Sequence, residues 1–158
     1  VDAKHIYLLG VRSSAFLAGY LNFYFHLIFK NVTLVQSAAG EIFDQMLRIG
    51  PGDVLVGISF PRYSQIAVNA VRFARDRGAD VIAVTDSKMS PIYKMASASL
   101  LVSSDMISFV DSMAAPVSLL NALIMAVGQQ KSEETAESFS ELERVWSQYG
   151  VFGDAEDE

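Results

Sequence analysis

Three short apolar runs most constrain this chain: His5-Ile6-Tyr7-Leu8-Leu9, Asp53-Val54-Leu55-Val56-Gly57-Ile58 and Asp80-Val81-Ile82-Ala83-Val84-Thr85. Their apolar residues are consecutive rather than alternating, so a strand built from any of them must be buried on both faces. Strands of that kind sit inside a parallel sheet, and a parallel sheet needs helical crossovers to cover it. Segments of helical periodicity do stand between the runs. The expected architecture is therefore α/β: three α/β/α layers around an open, mostly parallel sheet.

The remaining elements fit that frame. A helix is expected from Ser14 to about Lys30, apolar almost all round, with Asn22, His26 and Lys30 on one polar stripe at i, i+4 and i+8. Thr33 to Gln36 reads as a second strand, and Gly40 to Ile49 as a helix stopped by Gly50-Pro51-Gly52. A helix ending near Arg77 follows the third strand, and Gly78 occupies its left-handed end. Asp86 to Pro91 is a turn that opens a short helix with Pro91 in its first turn, and Ala98 to Ser103 is a fifth strand. From Asp111 to about Gln130 a second all-round apolar helix is expected, then an amphipathic one from Ser132 to Tyr149 closed by Gly150. One sheet face cannot bury two such apolar helices completely, so a homodimer or higher homo-oligomer is expected. Residues 1–150 form one domain, and 151–158 an acidic, frayed tail.

Composition narrows the function. Twelve basic against eighteen acidic residues give a net charge of −6, which argues against this domain gripping a nucleic-acid backbone. There is no cysteine, and the two histidines are far apart, so neither a metal nor a cofactor is expected. The most apolar run, Phe16 to Phe29, is broken by Asn22 and His26 and is shorter than the roughly 18–20 apolar residues of a membrane span. No signal peptide is read, and a cytoplasmic location is expected. The chain opens at Val1 without an initiator methionine, which leaves room for a preceding domain.

Ligands of open parallel sheets bind off the carboxyl ends of the strands. Two loops there are rich in hydroxyls: Gly10-Val11-Arg12-Ser13-Ser14 after the first strand and Ser59-Phe60-Pro61-Arg62-Tyr63-Ser64 after the third. Arg12, Ser13, Ser14, Ser59, Arg62 and Ser64 offer hydroxyl and guanidinium donors beside two helix N-termini, with no carboxylate among them. A phosphate monoester suits that set. The alternatives stay open that Ser14 and Ser64 only cap their helices, that the arginines are solvated, and that Asp86 only caps its turn. The first loop lacks the further glycines of a dinucleotide fingerprint.

Gly10-x-x-x-Ser14, Gly57-Ile58-Ser59-x-x-x-x-Ser64 and Val84-Thr85-Asp86-Ser87-x-x-Ser90-Pro91 together resemble the sugar isomerase (SIS) domain, in the wording of the effector domain of RpiR-type transcriptional regulators. The resemblance spans about residues 4 to 130. It implies a five-stranded parallel sheet of flavodoxin-like order, dimerisation through helices, and a phosphorylated sugar or sugar acid held at Ser14, Ser59 and Ser64. Two departures stand out: Pro61 and Arg62 replace a serine and a glycine of the usual loop, and Arg12 stands where glycine is frequent. Both favour a ligand with more negative charge. Such regulators bind DNA through an N-terminal helix-turn-helix domain, which does not lie in these residues, and the ligand then acts by shifting the dimer arrangement. The alternatives are an aldose–ketose phosphosugar isomerase, for which Glu41 is the best general base and His26 a weaker one, and an oligomerisation module with no ligand.

Overall fold

The computed structural model describes residues 1–36, 41–104, 106–107 and 110–152. Five parallel strands, β1 (Ile6–Gly10), β2 (Val32–Val35), β3 (Val54–Ile58), β4 (Asp80–Thr85) and β5 (Ala98–Leu101), form one sheet in the order β2-β1-β3-β4-β5. This is the flavodoxin-like order, which reverses between β1 and β3. The register pairs Ile6 with Val54 and Gly10 with Ile58, so the carboxyl ends of β1 and β3 lie side by side. All five residues of β1 are buried, as a strand covered on both faces requires.

Helices cover the two faces differently. One face carries α2 (Ile42–Gln45) and α3 (Gln65–Asp76), whose buried Val68, Ala70, Val71 and Ala74 pack with Tyr7, Leu9, Leu55 and Val81. The exposed Arg72, Arg75 and Asp76 make α3 plainly two-sided. The opposite face carries α1 (Ser14–Ile28) and α4 (Ala114–Gln130), where Leu17, Leu21, Phe25 and Leu120 close over Leu8, Val56, Ile58 and Val84. Each fully buried leucine or valine contributes on the order of 1.5–3 kcal/mol through the surface it removes from water. The last helix, α5 (Ser132–Tyr149), lies outside α1 and α4, with no buried residue of its own. Phe16, Phe23 and Met125 remain exposed on the α1 and α4 side.

Most boundaries agree with the sequence reading to within two residues, and Gly78 and Gly150 take the expected left-handed backbone at φ 84° and 59°. Four expectations need correction. The helix read over Gly40 to Ile49 is one turn, Ile42–Gln45; beyond it the chain closes tight turns from Leu47 N–H to the Asp44 carbonyl and from Ile49 N–H to the Met46 carbonyl. Residues 37–40 lie outside the described part of the chain. The turn after β4 opens a 3-10 turn at Tyr93–Met95, beyond Pro91 rather than around it. Asp111 is not a helix start: Met106–Ile107 (β6) and Val110–Asp111 (β7) form an antiparallel pair, and α4 begins three residues later. Of the acidic tail, Val151 and Phe152 stay on α5, with Val151 N–H on the Trp146 carbonyl and Phe152 edge-on to the Trp146 ring; 153–158 lie outside the described residues.

Candidate functional site

An open cavity of about 440 Å³ lies at the carboxyl ends of β1 and β3. The sheet order puts it there, since the crossovers leave β1 and β3 in opposite directions and their helices part above the strand ends. Arg12, Ser13, Ser14, Ser59, Arg62 and Ser64 all line it, with Phe16, Pro61 and Asp111. Every ligand residue expected from the sequence is therefore on one cavity. The two loops contribute no carboxylate, as read, but the cavity gains one from outside them: β7 carries Asp111 in from far along the chain, and Ser13 Oγ donates to its Oδ2 at 2.9 Å.

The serines are not used as caps. Ser13 and Ser64 stand at the cap positions of α1 and α3, yet neither side chain makes a capping hydrogen bond. Ser14 and Ser59 are buried, at 5% and 4% exposure, at the back of the cavity. The amides that open α3 precede the first intrahelical bond, from Val68 N–H to the Ser64 carbonyl, so they point along the helix axis toward the cavity. Such N–H groups and the dipole behind them attract an anion.

Both loop arginines have left-handed backbone, Arg12 at φ 59° and Arg62 at φ 61°. They are the two non-glycine residues with positive φ among the described residues. Each conformation costs about 1–2 kcal/mol for a residue with a Cβ. A glycine would relieve that cost, so the guanidinium groups are present despite it. Neither arginine has an ion-pair partner among the described residues.

The second loop is tied to the end of β4. Ser59 N–H donates to the Val84 carbonyl at 3.0 Å, and the fully buried Thr85 donates from Oγ1 to the Ser59 carbonyl at 2.7 Å. Tyr63 donates its hydroxyl to Asp86 Oδ1 at 2.8 Å. Burial first, and then that hydrogen bond, raise the Tyr63 hydroxyl above the ordinary tyrosine range, so it stays a donor at neutral pH. Asp86 therefore supports the loop rather than lining the cavity.

Of the candidate bases, Glu41 is exposed at the cap of α2 and is not among the lining residues. His5 pairs through Nε2 with Thr33 Oγ1 at 2.8 Å, and His26 lines a separate cavity with Lys30, Lys131 and Glu134. Among the described residues, no group of three or more His, Cys, Asp or Glu side chains is arranged to hold a metal ion, and no helix is long and apolar enough to cross a membrane.

Comparison with solved structures places this arrangement among known folds. The sugar isomerase domain of an RpiR transcription factor from Sphaerobacter thermophilus superimposes with a TM-score of 0.85 at 23% identity, over 90% of this chain and 80% of that one. The Vibrio vulnificus NanR protein complexed with ManNAc-6P gives 0.79 at 17% identity, over 97% and 58% of the respective chains. A Methanococcus jannaschii protein with an inferred 3-hexulose-6-phosphate isomerase function gives 0.66 at 15% identity, over 87% and 77%. At these identities the likeness establishes the fold, one that regulators and isomerases share. A search of curated protein sequences finds no significant match. The family description "SIS domain" matches residues 1–126, and with the sheet order and the cavity it shows that the chain belongs to the SIS domain family.

Proposed function

We propose that this chain is the phosphosugar-sensing effector domain of a transcriptional regulator. The observation that carries the reading is the cavity itself: four serines, two guanidiniums without an ion-pair partner among the described residues, and the open N-terminus of α3 face one volume of about 440 Å³. Ser14, Ser59 and Ser64 hold the phosphoryl group, and Arg12 and Arg62 favour a ligand with a second anionic group, such as a phosphorylated sugar acid. Solved structures of the same fold support the regulator side, since they include the sugar isomerase domain of an RpiR transcription factor and NanR complexed with ManNAc-6P. The relay runs through α1, which starts at the cavity, packs against α4 and α5, and exposes Phe16 and Phe23 for a second copy of the chain. Differential affinity for two dimer arrangements then moves a DNA-binding domain elsewhere in the protein, in the cytoplasm.

A thermal-shift screen of sugar phosphates tests this. A true ligand at a hundred times its Kd raises the melting temperature of the wild type by roughly 5–10 °C. The Ser59→Ala/Ser64→Ala variant loses most of that shift. Equal shifts in both proteins remove these serines from the site.

Asp111 favours a second reading, an aldose–ketose isomerase, because it places a carboxylate in the cavity wall where a general base is needed. That reading requires the wild type to interconvert a sugar phosphate, and either Asp111→Asn or Glu41→Gln to abolish turnover. Binding without turnover at high protein concentration leaves the sensor.

A further inference from the structure

Asp111 is out of place in an anion site. A carboxylate beside a phosphoryl group is repulsive, and the cavity already has two guanidiniums that no acid neutralises among the described residues. Nor does Asp111 serve the sheet, since it ends a two-residue strand outside it. The one hydrogen-bond partner of its side chain among the described residues is Ser13, whose hydroxyl occupies Oδ2 and leaves Oδ1 with its lone pairs. An ionised carboxylate only accepts hydrogen bonds. The complementary ligand group is a hydroxyl.

The cavity is thus polar in a directional sense. Donors come from both strand-end loops, at Arg12 and Ser14 and at Ser59, Arg62, Ser64 and the α3 amides, while the one carboxylate in the described lining is Asp111 on β7, bonded to Ser13. We infer that Asp111 is a ligand-binding residue that accepts a hydrogen bond from a sugar hydroxyl, so that the cavity selects hydroxylated phosphoesters over phosphate esters lacking a hydroxyl. The inference rests on the phosphosugar reading above and names the residue that distinguishes the sugar from its phosphate.

The test compares two probes of equal charge, sorbitol 6-phosphate and n-hexyl phosphate, by calorimetry on the wild type, Asp111→Asn and Ser13→Ala. The wild type prefers the hydroxylated ester. In Asp111→Asn a like charge is removed, so n-hexyl phosphate binds about three- to tenfold tighter, while sorbitol 6-phosphate loses a charge-assisted hydrogen bond. The preference falls about tenfold or more. Ser13→Ala keeps the preference to within about threefold, which a merely structural Asp111–Ser13 strut would not do, since both variants break that strut equally. Wild-type binding of both probes with an unchanged preference in Asp111→Asn overturns this inference alone. Equal loss of preference in both variants overturns it too, making Asp111 a support for Ser13. Failure of the wild type to bind either probe, or any sugar phosphate in the thermal screen, overturns the phosphosugar reading and this inference with it.

Discussion

The loop after β1 passes from strand to helix in three residues, Val11 to Ser13, whereas the loop after β3 takes six, Ser59 to Ser64. Both contain an arginine in left-handed backbone and both enter a helix at a serine. Their amides are used differently. In the short loop, Ala15 N–H closes on the Arg12 carbonyl at 3.0 Å and Phe16 N–H on the Ser13 carbonyl at 3.3 Å, so the first turn of α1 consumes its own donors. In the long loop the amides ahead of Val68 have no such closure, and the loop is secured from outside by Thr85 and Tyr63. The long loop is therefore the better anion cradle. The short loop is a rigid corner, tied through Ser13 to Asp111 and through α1 to the outer helices.

Four substitutions break or sharpen that contrast. Gly10→Ala has the largest expected effect, because a Cβ there would lie 2.1 Å from the Ser14 carbonyl oxygen, a backbone atom that cannot step aside. Chemical denaturation is expected to show a loss of about 3 kcal/mol or more; an unchanged midpoint would mean the corner is not rigid. Thr85→Val comes next, since it removes the donor to the Ser59 carbonyl at nearly constant shape. A loss of about 1–3 kcal/mol is expected, with weaker phosphate-ester binding as the long loop loosens; a stability loss with unchanged binding would show that the loop needs no tie to β4. Arg12→Gly and Arg62→Gly have the smallest effect on stability and the opposite sign, each gaining up to about 1 kcal/mol as left-handed backbone relaxes. Their affinities for a phosphate ester fall unequally, by about tenfold for Arg62→Gly and by less for Arg12→Gly. Equal losses would erase the distinction between cradle and corner.

Much of this was legible in the sequence, and the reasons for the rest are physical. The strands could be read because burial on both faces leaves an unbroken apolar run, and the six expected ligand residues met on one cavity because strand ends bring their loops together. The single turn of α2 was hidden because Ile42, Phe43, Met46 and Ile49 suit a buried turn as well as a helix, while Leu47, apolar but exposed, completed the helical spacing. Strands of two residues, such as β6 and β7, have no period to detect, so Asp111 read as the start of α4. Its approach to Ser13 spans 98 positions of sequence, and no local pattern announces a contact of that separation. The left-handed arginines carry no local mark of their own; the glycine that the family resemblance leads one to expect at each position was the signal that could have found them.

The register of β1 against β3 has one more consequence. Among the described residues, none from 29 to 57 is in the cavity lining; β2 and α2 form an excursion of the chain between the two halves of the site. What joins the halves is the ladder that sets Gly10 beside Ile58. The cavity is therefore a property of the sheet edge rather than of chain continuity. Insertions in the excursion, or a chain break within it, test whether two fragments can rebuild a site whose halves are not sequence neighbours.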